Sequence, residues 1–298
     1  MKEKAHLFIL LGQSQAVGHA LPMREEDRIT VPLTHVFGLD RAANQSFDVD
    51  RLTWSGYVSG GMNLGETQDH TYSLANCLAA LWQKEIDGGR DLPDLYVIQI
   101  AIGAEGVTEK YAGGAVERPY MWNPDKEKVL KPGKLGQVDI ALFPLTQHIL
   151  SLVGPSFAAM GRDYDVTLYW RGGENDTETP PDVLKKTLAP IYDRLFDGFY
   201  AALGRRVPTV LNRIVSFEIM TKRDPSGDYV TSLVHVNDLF DELAAKNGNM
   251  TVFDARRAPH YQKSAPGNGI FIGDLVHYNA ETNRWCAEEF LRTFGQKG

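Results

Sequence analysis

Short, near-continuous apolar runs alternate along the chain with longer segments whose apolar residues recur at helical spacing. The runs are Leu7–Leu11, Leu95–Ile102, Val166–Trp170 and Val207–Val215, with His35–Leu39 and Met250–Phe253 less continuous. A strand with one wetted face alternates apolar and polar residues. A run with few polar interruptions belongs to a strand covered on both faces. The helical segments are Tyr72–Ile86, Ile140–Val153, Asp182–Leu203, Leu233–Lys246 and a closing one, Tyr278–Thr293. Strand and helix in alternation predict an α/β fold with helices on both faces of a parallel sheet.

Neither an internal repeat nor a low-complexity tract divides the 298 residues, so the chain reads as one domain over 1–298. Two excursions interrupt the rhythm, near 42–63 and 105–137. The second is rich in Gly, Pro and Lys and carries Tyr111, Tyr120 and Trp122. Connections of that length are usually functional, and this one follows a strand on the side where α/β sheets bind ligands. It is therefore expected to wall a substrate cleft.

A net charge of −7 argues against nucleic acid or an anionic membrane surface as partner. The chain lacks any run of 18 apolar residues. The run at Leu7 is too short for a signal-peptide core, so the sequence reading places the protein in the cytoplasm or releases it without a signal peptide. Cys77 and Cys286 are expected to be buried free thiols.

The chemistry concentrates at the two ends of the chain. Gly12-Gln13-Ser14-Gln15 follows the first strand, and Asp274-Leu275-Val276-His277 follows the last loop. A serine hydroxyl becomes a nucleophile only when a base takes its proton, and a carboxylate beside the base fixes its tautomer. Of the eight histidines only His277 has an aspartate three residues before it. Ser14 is the candidate nucleophile, His277 the base and Asp274 its partner. Taken singly, Ser14 also fits a helix N-cap, and Asp274 a capping residue beside a surface histidine.

A developing oxyanion needs preorganised donors. The candidates are the Ser14 amide, an amide at the strand end Ala101-Ile102-Gly103-Ala104, and Asn175 in Trp170-Arg171-Gly172-Gly173-Glu174-Asn175-Asp176. Gly103 or Ala104 could serve at the second position. Gln13, Gln15, Arg171, Glu174 and Trp122 are the candidate substrate-binding residues.

These four blocks, in this order, resemble the SGNH (GDSL-like) hydrolases, most closely their sialate O-acetylesterase-like carbohydrate-esterase branch. The resemblance spans residues 7 to 277. It implies a three-layer αβα sandwich whose mainly parallel sheet has about five strands, the roles given above for Ser14, Asp274 and His277, and no cofactor or metal. The implied activity is removal of O-acetyl groups from a small-molecule or glycan substrate. Three departures stand out. Gln15 replaces the usual Asn after the nucleophile. Gly103-Ala104-Glu105 replaces Gly-Gly-Thr. Gly172 replaces the Gln of Trp-x-Gln-Gly-Glu-Ser-Asp, while Asn175 restores the Gly-x-Asn-Asp pattern of the wider group. The amide donor has thus moved along the chain.

Other readings are an esterase or thioesterase for non-sugar acyl groups, and a non-catalytic carbohydrate-binding module on the same fold. Retention of Ser14, Asp274 and His277 together speaks for the enzyme. A metal-dependent hydrolase lacks a His-Glu-x-x-His or paired-Cys signature; Asp69-His70 reads as a helix start, and Asp224-Pro225-Ser226-Gly227-Asp228 as a turn without the other ligands of a calcium loop.

Overall fold

The computed structural model describes residues 3–19, 23–44, 49–66, 72–103, 106–107, 122–125, 141–174, 176, 181–215, 232–262, 266–274 and 276–294. Its strands are β1 (Lys4–Gly12), β2 (Val36–Leu39), β3 (Trp54–Gly56), β4 (Asp94–Ala101), β5 (Asp163–Arg171), β6 (Thr209–Asn212) and β7 (Met250–Phe253). They form one sheet in the order β3-β2-β4-β1-β5-β6-β7. Six strands run parallel, and β3 pairs antiparallel with β2 at one edge. The sheet thus has seven strands rather than about five: both less continuous runs are strands, and β3 adds an edge that three residues of pattern could not announce.

The helices are α1 (Ser14–Val17), α2 (Arg41–Asn44), α3 (Leu74–Asp87), α4 (Leu142–Ser151), α5 (Val153–Ala159), α6 (Pro181–Leu203), α7 (Ser232–Lys246) and α8 (Ala280–Phe294). Strand β1 shows why its run is continuous. Leu7, Ile9 and Leu11 point into one core with residues of α4, α6 and α7, while Phe8 and Leu10 point into the other with α3 and α8. Successive side chains of a strand face opposite ways, so only an apolar residue at every position satisfies both layers. No helix among the described residues is long and apolar enough to cross a membrane.

The sheet order turns back at β1, flanked by β4 and β5. Gly12, Ala101 and Arg171 are level in register at the carboxyl ends of those three strands. That edge is the usual place for a ligand in an open α/β sheet. Of the excursion near 105–137, only 106–107 and 122–125 fall among the described residues.

At the opposite end of β1, His6 is almost fully buried between Trp82, Phe290 and Phe294, and neither ring nitrogen has a hydrogen-bond partner among the described residues. Burial pushes its pKa down to about 4. The unfolded chain binds this proton below about 6.5, the folded one only near 4, so stability falls as pH drops through that window. The expected loss from this group is about 3 kcal/mol. Urea unfolding of the wild type and His6→Phe across the window should show a flatter pH dependence in the variant; parallel curves would refute the assignment.

Candidate active site

The site begins where β1 ends. Gly12 has φ +143°, and a Cβ there would lie 1.9 Å from the carbonyl oxygen of Arg171. Only glycine tolerates that conformation and that approach. The close contact lets the Gln13 amide donate to the same oxygen at 2.8 Å, and the chain then turns directly into α1. Ser14 is the first residue of that short helix, which ends in a left-handed Gly18 whose amide, with that of His19, donates to the Ser14 carbonyl. Gln99 of β4 donates to the Ala16 carbonyl at 2.7 Å and pins the turn to the sheet.

The C-terminal loop supplies the candidate base. His277 Nδ1 lies 2.6 Å from Asp274 Oδ2, and Asp274 Oδ1 accepts from the backbone amides of Val276 and His277 at 2.9 and 3.0 Å. One carboxylate therefore shapes the loop and orients the ring. Partial burial raises the Asp274 pKa, but the hydrogen bonds from His277 and Val276 outweigh it and hold the carboxyl below its usual range. His277 Nε2 is buried and makes no hydrogen bond among the described residues. That is the nitrogen a general base of this kind uses.

Gln15 brings the two ends together. Its Nε2 donates to the Val276 carbonyl at 2.5 Å, and its Oε1 accepts from the Tyr278 amide at 3.2 Å. These bonds flank His277 on both sides, from the residue next to Ser14. The His19 ring, on the turn that closes over Ser14, lies 5.9 Å from the His277 ring. The turn that carries Ser14 and the loop that carries Asp274 and His277 thus meet from opposite ends of the chain.

The residues expected to touch substrate are buried. Gln15 is buried, and its amide is spent on the histidine loop. Gln13 is also buried. Arg171 is fully buried: its guanidinium donates to Asn283 of α8 at 2.7 Å and lies 5.4 Å from the rings of both Tyr169 and Tyr278. Trp122 has no exposed surface, donates to the Gly12 carbonyl at 3.1 Å and packs edge-on against Trp170. It is thus bonded to the residue that leads into the Ser14 turn. Glu174 is buried too, and desolvation, reinforced by nearby Asp176, pushes its pKa up to about 7 against the attraction of Arg171. All five residues expected to touch substrate are thus buried in this structure, and Gln15, Arg171 and Trp122 are hydrogen-bonded within the framework.

The Gly103 amide also differs from expectation. It already donates to Glu66 Oε2 at 2.9 Å, because the segment around Asn63 lies along the end of β4 and delivers that carboxylate. Asn175, Ala104, Asp69-His70 and the turn at 224–228 lie outside the described residues. Neither His19 nor Glu66 was legible in advance: no carboxylate lies near His19 in sequence, and the 47 positions separating the two carry no motif.

No protein-family model matches the chain, and no curated protein sequence does so significantly. Solved structures do. A protein of Arabidopsis thaliana superposes with a TM-score of 0.57 at 14% identity, with 98% of each chain covered. NanS superposes with a TM-score of 0.55 at 13% identity, covering 99% of this chain and 98% of its own. The chain shares the fold of these two structures over nearly its whole length. In this fold the Ser14 turn and the His277 loop meet at the carboxyl edge of β1.

The role of Gln15 is testable without any substrate. Gln15→Ala strands the Tyr278 amide and the Val276 carbonyl and is expected to cost about 2 kcal/mol. Amide exchange at Tyr278, measured by mass spectrometry, should accelerate more than in the distant strands; unchanged protection would show that the bond does not hold the loop.

Proposed function

We propose that the protein is a serine esterase that removes O-acetyl groups from a carbohydrate through an acetyl-enzyme. The observation that carries the reading is the Asp274–His277 pair, its Nε2 unengaged, held over the Ser14 turn by Gln15. Ser14 Oγ would attack the acetyl carbonyl while its proton passes to His277 Nε2. Collapse of the tetrahedral intermediate would expel the sugar oxygen, which takes that proton back. Water, activated by the same nitrogen, would then release acetate.

The esterase part rests on this geometry together with the fold. The sugar part rests on the four sequence blocks. Aromatic side chains add little to it among the described residues, since Trp122 and Tyr57 are buried. Thioester and simple acyl substrates accordingly belong in the test.

A panel of p-nitrophenyl acyl esters, acyl thioesters and acetylated sugars should show hydrolysis, with acetylated sugars preferred. Ser14→Ala and His277→Ala should each lose about three orders of magnitude in kcat or more, without a loss of folding. Near wild-type turnover by either folded variant would remove the triad.

With the Gly103 amide engaged by Glu66, the oxyanion would fall to the Ser14 amide and to Asn175. Asn175→Ala should then lower kcat by about 10²–10³-fold, equivalent to about 3–4 kcal/mol, with little change in KM. A role confined to capping a turn predicts instead near-normal kcat and a stability loss of about 1 kcal/mol. Steady-state kinetics and a melting curve on this one variant separate the two.

A further inference from the structure

A second imidazole–carboxylate pair stands beside the first. His19 Nε2 lies 3.5 Å from Glu66 Oε1, while Glu66 Oε2 accepts from the Gly103 amide at 2.9 Å. Glu66 thus has one oxygen toward the Ser14 turn and the other toward the loop that follows β4. His19 belongs to that turn, its backbone amide bonded to the Ser14 carbonyl at 2.9 Å. Its ring also borders Gly103, where a Cβ would lie 3.7 Å from the imidazole. The Glu66 side chain is 11% exposed and that of His19 41%. A carboxylate so nearly buried needs partners for both oxygens.

We propose that His19 and Glu66 are a positioning pair for the active centre, tying the Ser14 turn to the end of β4 so that the turn keeps one fixed position against the sheet. The inference rests on the esterase reading for its catalytic consequence, but not for the existence of the pair.

The charged groups facing His19 among the described residues are Glu66, Asp274 and the titratable His277. The hydrogen bond to Glu66 raises the His19 pKa, partial burial opposes it, and the charges of Glu66 and Asp274 raise it further. A raised folded-state value means that the pair is at full strength below the ordinary histidine range, near 6.5, and weakens as pH rises through the folded value. Activity should therefore carry an alkaline limb that belongs to His19.

Two measurements test this. Proton NMR of the histidines, which needs no substrate, should show the His19 midpoint falling toward 6.5 in the near-isosteric Glu66→Gln; an unmoved midpoint overturns the pair. In kinetics, His19→Gln should lower kcat by about 10-fold or more with KM within about threefold. His19→Arg, a permanent cation, should recover much of that loss and abolish the alkaline limb. Wild-type kcat and an unchanged alkaline limb in folded His19→Gln would overturn the positioning role. A wild type inactive on every ester, with the NMR shift intact, would instead overturn the esterase reading and leave the pair standing.

Discussion

One side chain, Gln15, holds together what the rest of the site depends on. The nucleophile candidate is the fourteenth residue and the base candidate the two hundred and seventy-seventh, and the sheet alone does not set their separation. Gln15 spans the gap with both ends of its amide, reaching the residues on either side of His277. The bonds are specific because a primary amide donates on one side and accepts on the other, matching a carbonyl and an amide two residues apart. A residue expected to touch substrate is spent on geometry, because a base one ångström out of place loses most of its value.

The framework beneath is polar as well as apolar. Asp176 accepts from the Val107 amide and the Tyr192 hydroxyl, and Val107 in turn accepts from Asn123. Arg171 reaches α8 through Asn283 and stacks with Tyr278, the residue after His277. The strand ends, the loop after β4 and the C-terminal helix are thereby bonded to one another around the Ser14 turn. Buried polar groups of this kind cost free energy unless every partner is present, which penalises alternative arrangements of the loops. The raised pKa of Glu174 fits the same setting: a carboxyl shielded from water beside Asp176, with Arg171 as the compensating charge.

Much of the fold was legible because it follows from local pattern. The four continuous runs are central strands, and the five helical segments are helices with boundaries shifted by a few residues. The segment Ile140–Val153 holds α4, and after a break at Leu152 a further helix, α5, runs on from Val153 to Ala159. Strand β3 went unread because three residues carry no period and its pairing partner lies elsewhere in sequence. In the site, the Asp274–His277 contact was legible since three residues suffice to fold a carboxylate back onto a ring. The burial of Trp122 and Arg171 was not legible: burial is a property of neighbours, and a Trp or Arg in a motif looks alike whether it lines a cleft or underlies it.

The sequence by itself determined the two-sided parallel sheet, the order of its helices, and the pairing of a carboxylate with an imidazole on one short loop. Each of these depends on residues close together in the chain, where periodicity and spacing act directly. Only the tertiary structure decided that Gln15 is a strut, that Arg171 and Trp122 lie in the interior, that the Gly103 amide faces Glu66, and that His19 stands beside His277. Those facts join residues tens to hundreds of positions apart, and the register of β1 against β4 and β5 is what brings them within hydrogen-bonding distance.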